Sequence, residues 1–158
     1  MGTYPASKVD KAAVLLMFEQ LFEETRKYGS AIRPGENTSR WVASAFDAAV
    51  QGAGACLVTI RDNTIVGTSL AVETPWPYDT DYGRTAFGIG TYVQPDWRKV
   101  GIADELYRTM KRELRSRGFE TYMGGALVEN KAVHGVLKRN GATFDEFTVL
   151  FDLGEPSP

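Results

Sequence analysis

Apolar residues recur along this chain at two spacings, and the places where the spacing changes mark its elements. Val14, Phe18, Leu21 and Phe22 stand at helical intervals behind Ser7-x-x-Asp10, which reads as a capping box, and Gly29 is the stop. Trp41, Ala45, Phe46 and Ala49 form one side of a second helix, capped by Thr38 or Ser39 and ended by Gly52 and Gly54. The texture changes at Ala55. Ala55–Ile60 and Thr64–Glu73 are β-rich runs, and Arg61-Asp62-Asn63 between them reads as a hairpin turn. An irregular segment, Thr74–Arg84, precedes a third strand over Thr85–Val93. A helix follows from about Val100 to Arg117, with Ile102, Leu106, Met110 and Leu114 at steps of four and Gly118 at its C-cap. Phe119–Ala126 reads as a strand weakened by Gly124 and Gly125, and Asn130–Arg139 as a short helix closed by Asn140-Gly141. Phe147, Val149, Phe151 and Leu153 alternate as a half-buried final strand, and Thr3–Ala6 suits a small edge strand. This order predicts an α/β (α+β) sheet with helices on both faces, in one domain over residues 1–154 with a loose tail at 155–158.

Composition narrows the function classes. A chain of 158 residues builds one sizeable core, and a net charge of −2 lacks the basic surplus of a nucleic-acid binder. With one cysteine and one histidine, a zinc cluster of the usual kind is not expected, nor any other metal. Cys56 lies in an apolar run and reads as a buried structural thiol. No apolar stretch approaches the ~20 residues that span a bilayer, so no membrane association is expected and the cytoplasm is the default location.

The segment Val93–Leu106 carries the candidate chemistry. A strand exits into a short turn containing Pro95, then into Arg98-x-x-Gly101-x-Ala103 and an amphipathic helix. That order aims backbone N–H groups, at the positive end of a helix dipole, toward whatever sits in the turn, which suits a phosphate. Glycine at 101 lets the main chain approach an anion, and small Ala103 keeps the path open.

At these residues the chain resembles the GNAT N-acetyltransferase superfamily. The resemblance rests on Val93-x-Pro95-x-Trp97-Arg98-Lys99-Val100-Gly101-Ile102-Ala103 with Leu106, and on Asn130-x-x-Val133-x-x-Val136-Leu137-x-Arg139-x-Gly141. It implies a mixed, mostly antiparallel central sheet whose parallel pair splays around the cofactor. It implies acetyl-CoA as donor, with the pyrophosphate on the main chain of Arg98, Lys99, Val100, Gly101, Ile102 and Ala103. Main-chain groups of Thr91 and Val93 would then meet the thioester carbonyl and the pantetheine amide. Asn130 matches a family asparagine that meets the cofactor, and it is equally suited to cap its helix. Gly124 and Gly125 fit a strand parting from its neighbour, or a bulge. Lys99, Lys131, Lys138 and Arg139 are candidates for the nucleotide phosphates.

The catalytic groups are less clear from the sequence. Many relatives donate a proton to the leaving thiol from a tyrosine, and the matching position here is Leu137; His134 is the candidate substitute. A glutamate common before the turn is replaced by Phe87, which leaves Glu73, Asp79 and Asp81 as the nearby carboxylates, Glu73 being the candidate base. Thr91 is the candidate oxyanion donor through its N–H. Neutralising a lysine-like amine of pKa ~10.4 at pH 7 costs about 4.6 kcal/mol, against about 1 kcal/mol for an α-amine, so a site without a strong base suits the weaker amine. Trp76, Tyr78 and Tyr82 beside Asp79 and Asp81 suit a cationic acceptor, a small molecule or a peptide. The sequence therefore predicts an N-acetyltransferase acting by direct attack in a ternary complex. An acyl-CoA sensor or interaction module without turnover, and an unrelated nucleotide-binding domain, are the alternatives. Only one strand is obvious after Gly141, so an edge completed by a second copy, a homodimer, is a further expectation.

Overall fold

A computed structural model describes residues 2–75 and 82–143. Strand β1 (Gly2–Pro5) leads through a short 3-10 turn at Lys8–Asp10 to α1 (Lys11–Thr25) and then α2 (Glu36–Val50). Three strands follow, β2 (Gly54–Arg61), β3 (Thr64–Glu73) and β4 (Thr85–Val93). Helix α3 (Ile102–Ser116), strand β5 (Thr121–Gly124) and helix α4 (Lys131–Arg139) complete the described part. The final strand expected around Phe147–Leu153, and the tail beyond it, lie outside the described residues.

Among the described residues the sheet runs β1-β2-β3-β4-β5, antiparallel except for the parallel pair β4–β5. Helices cover both faces, which explains why β2 is buried nearly throughout rather than alternating. Its Cys56 and Val58 turn toward Val14, Phe18, Val42 and Phe46 of α1 and α2, while Ala55 and Leu57 meet Leu106, Met110 and Leu114 of α3. The Cys56 thiol, buried among these side chains, is pushed up to about 12. It is packing, not a nucleophile.

Most element boundaries agree with the sequence pattern, and the exceptions have local causes. The Ser7 N–H donates to the Asp10 carboxylate at 2.7 Å, as a capping box requires. Asp62 and Asn63 take positive φ of 48° and 58°, the geometry of a two-residue hairpin whose twist matches its strands. Helix α2 instead begins at Glu36, before the expected caps, because the Thr38 hydroxyl donates back to the Arg33 carbonyl at 2.8 Å and Gly35 holds the cap position. Its buried side is Val42, Ala45, Phe46 and Ala49; Trp41 is 46% exposed. One residue of helical phase separates the two readings, and the bulkier side chain lies outside. Helix α3 starts at Ile102 rather than Val100, because Lys99 and Gly101 both have positive φ. Strand β5 is shorter than its apolar run: it ends at Gly124, and Phe119 is buried before it begins, under the Arg84 guanidinium at 4.1 Å.

Candidate functional site

The site is prepared by a parallel strand pair that stops early. Strand β4 pairs with β5 from Thr85↔Thr121 to Gly88↔Gly124 and no further, although β4 continues to Val93. Five residues, Ile89–Val93, thus face a gap among the described residues.

Which of their amides face it follows from one hydrogen bond. The Gln94 N–H donates to the Val66 carbonyl at 2.9 Å, which sets the antiparallel phase between β3 and β4. Alternation then turns Tyr92 and Gly90 toward β3, and turns Thr91 and Val93, opposite Ser69 and Gly67, away from it into the gap. The register shift between Leu70 and Ala71 puts one extra residue, Ile89, into β4. Without that bulge the amides of Tyr92 and Gly90 would have faced the gap instead. Thr91 and Val93, singled out by the resemblance, are therefore the residues whose N–H groups are presented.

Below the strand end lies the turn. Its backbone goes extended at Arg98 (φ −79°, ψ 159°), left-handed at Lys99 (φ 64°) and left-handed again at Gly101 (φ 89°). The first helical bond runs from the Glu105 N–H to the Gly101 carbonyl at 3.0 Å. The N–H groups from Lys99 to Asp104 have no backbone acceptor among the described residues, at the positive end of a 15-residue helix. Such a row binds anions. Arg98 contributes differently from the expectation, since its own N–H is used on the Pro95 carbonyl at 3.2 Å. Its guanidinium braces the strand end, donating to the Val93 carbonyl at 2.8 Å and to both Glu24 carboxylate oxygens at 2.9 and 2.8 Å. The Tyr92 hydroxyl donates to the same carboxylate at 3.1 Å. This Glu24–Arg98–Tyr92 contact ties α1 to the turn.

Helix α4 closes the other side. The Asn130 carboxamide oxygen caps it, accepting from the Val133 N–H at 3.4 Å. Arg139 and Asn140 reach back to Asp104 in the first turn of α3, at 3.0 and 2.9 Å. Arg139 is thereby committed to Asp104, and its guanidinium holds that carboxyl below the usual carboxylate range. Lys99, Lys131 and Lys138 are exposed.

Of the expected catalytic side chains, Glu73 lies away from the gap. Glu73 lies at the other end of β3, opposite Ala86, four residues from Ser69 and so roughly 13 Å along the strand from Thr91's partner. Arg84 grips it with two hydrogen bonds of 2.9 and 2.7 Å and lowers its pKa, which weakens it as a base. The imidazole Nε2 of His134 sits 3.0 Å from the Leu127 carbonyl. Of the acceptor-side residues, Tyr82 is 45% exposed and its carbonyl accepts from the Thr121 hydroxyl at 2.6 Å. Trp76, Tyr78, Asp79 and Asp81 lie outside the described residues. One hydroxyl pair went unremarked in the sequence reading: Ser69 and Thr91, cross-strand partners on β3 and β4, have their hydroxyl oxygens 2.8 Å apart. Its only sequence signal was polar Ser69 inside an apolar strand.

A sheet opened between parallel strands, leading to a helix N-terminus ready for an anion, defines a site for an extended ligand with a phosphate-bearing end. The chain belongs to the acetyltransferase (GNAT) family, whose model matches residues 17–142. No curated protein sequence matches the chain. Solved structures share the fold. The aminoglycoside acetyltransferase AAC(6')-Iy, in complex with the bisubstrate analog CoA-S-monomethyl-acetylneamine, superposes with a TM-score of 0.73 at 16% identity, over 95% of each chain. A predicted acetyltransferase from Clostridium acetobutylicum with acetyl-CoA gives 0.75 at 17% identity, over 96% of each. The apo aminoglycoside 6'-N-acetyltransferase AAC(6')-IG from Acinetobacter haemolyticus gives 0.71 at 17%, over 98% of this chain and 99% of that one.

Proposed function

We propose that the protein is an N-acetyltransferase that moves an acetyl group from acetyl-CoA to a primary amine by direct attack in a ternary complex. The observation that carries this reading is the open edge of β4. The bulge at Ile89 turns the amides of Thr91 and Val93 into the gap left by β5, and the turn that follows β4 carries the N–H row of Lys99–Asp104. The donor supplies an activated acyl carbon and a thiol leaving group. The chain's own groups would do the rest: the Lys99–Asp104 amides hold the pyrophosphate, Val93 N–H meets the pantetheine, and Thr91 N–H polarises the thioester carbonyl. An oxyanion donor of this kind contributes about 3 kcal/mol to transition-state stabilisation. The Val93 carbonyl already accepts one hydrogen bond, from Arg98.

A ternary complex is favoured over an acetyl-enzyme because Cys56, the sole thiol of the chain, is buried in the core with its ionisation suppressed. With Glu73 held by Arg84, the site suits an amine that is partly neutral near pH 7. The AAC(6') neighbours make amino sugars one class for an acceptor panel, beside polyamines, lysine and peptide α-amines. Titration of acetyl-CoA into the protein, followed by CoA release across that panel, tests the reading. Micromolar binding with release for at least one amine is expected. Binding without release from any amine would favour a sensor or interaction module, and no binding would sink both.

A further inference from the structure

Large side chains close over the narrow end of the gap from both faces of the sheet. A Cβ at Gly90 would stand 2.5 Å from Leu21 Cδ2 and 3.2 Å from Phe18 Cε1, so α1 lies directly on the β4 backbone there. A Cβ at Gly88 would stand 3.0 Å from the Tyr122 hydroxyl oxygen and 3.1 Å from its ring carbon Cε2. Carbon atoms ordinarily settle about 3.5–4.0 Å apart, so glycine at both positions is what leaves Leu21 and Tyr122 their room. Leu21 packs on the core layer of α1 and α2, and Tyr122 on the layer of α3, which puts them on opposite faces of β4. Both are only partly buried, so neither is sealed inside its layer.

Position gives the two contacts a use. The gap tapers toward Gly88↔Gly124, the last pair of β4 and β5. Paired strands stand about 4.8 Å apart, so no ligand fits between them at that pair. In the acetyl-transfer reading, on which this inference rests, Val93 N–H meets the pantetheine and Thr91 N–H the thioester carbonyl. The carbonyl carbon is trigonal. With its oxygen toward Thr91 and its sulfur toward Val93, the third bond points down the strand, toward Gly90 and Gly88. The acyl tail therefore runs into the taper. A longer tail has to leave the plane of the sheet, and it meets Leu21 on one face or Tyr122 on the other. We propose that Leu21 and Tyr122 set the length of the acyl group this protein accepts, admitting acetyl and rejecting butyryl and longer chains.

Calorimetry with free CoA, acetyl-CoA and butyryl-CoA is the test, and it needs no amine. A misfit of one methylene in an apolar pocket is worth about 10–200-fold, so butyryl-CoA should bind the wild type at least about 10-fold more weakly than acetyl-CoA. Leu21→Ala should shrink that ratio by about 10-fold, with free CoA, which has no acyl tail, as the reference for any loosening of the fold. Tyr122→Phe keeps the ring and removes the atom nearest Gly88, so it should shrink the ratio in the same direction by less. Equal binding of the two acyl-CoAs by the wild type would overturn the proposal and leave acetyl transfer standing. So would a ratio that neither variant moves. Selective binding relaxed by Leu21→Ala, with CoA released by no amine of the panel, would support the acyl wall and remove the transfer reading. Failure to bind any of the three would remove both.

Discussion

The two halves of β4 make an instructive contrast. Thr85–Gly88 is paired on both edges, with β3 and with β5, and Thr85 and Ala86 are buried. Ile89–Val93 is paired with β3 alone among the described residues. Both halves are similar in composition, yet the first is scaffold and the second presents donors. An unpaired strand edge is ordinarily a hazard, because its N–H and C=O groups recruit other strands. Here it is short, it follows a bulge, and Arg98 already occupies the Val93 carbonyl. What separates the halves is where the neighbour ends, a property of β5 rather than of β4.

Substitutions at the two ends sharpen that contrast. The largest effect is expected from Gly101→Glu at the open end. At φ +89° any side chain is strained, and a carboxylate beside the N–H row repels phosphate. Acetyl-CoA affinity should fall by at least about 100-fold in calorimetry while the far-ultraviolet spectrum is retained. Leu106→Ala, in the fully buried layer under both halves, should cost about 2–5 kcal/mol of stability in urea titrations. Comparable destabilisation from Gly101→Glu would mean that the turn is scaffold after all. Arg98→Ala comes next. The Arg98–Glu24 pair is more than a third exposed on both sides or close to it, so about 0.5–1 kcal/mol of stability is at stake, together with severalfold weaker acetyl-CoA binding as the strand end loosens.

The smallest effect belongs to the closed end. Glu73→Gln removes a carboxylate whose pKa Arg84 depresses, so its stabilising contribution exists above the unfolded value of about 4.3 and fades as pH falls through the lower folded value. The stability difference between wild type and variant should be greatest near pH 6–7 and vanish in strong acid, as followed by denaturant midpoints. Turnover should be nearly unchanged. A large loss of kcat in this variant would return Glu73 to the position of general base and erase the functional difference between the two ends.

The sequence reading and the structure part company along the same line. Steps of four at Ile102, Leu106, Met110 and Leu114 announced a buried helix face, and all four are buried. Asn130 and Ser7 announced helix starts, because a cap is a contact between residues three apart. Trp41 misled, since its size suggested burial while one step of phase put Val42 inside instead. Glu73 was legible as a carboxylate near a strand end, but its partner Arg84 stands eleven positions on in the sequence, beyond a stretch with no periodicity to pair them.

What the chain determines by itself is local. Apolar spacing, the capping residues, and the glycine at 101 set the element order and the turn before α3 through interactions spanning a few residues. The tertiary structure alone decided which strand edge is open, which amides face it, and which side chains meet there. The bulge at Ile89 depends on how β4 registers against β3, and the gap depends on β5 ending at Gly124. Glu24 and Arg98, or Ser69 and Thr91, come together only because separate elements pack on one sheet. Such contacts leave no periodic trace, since their energy arises from the complementarity of distant surfaces rather than from any local preference of the backbone.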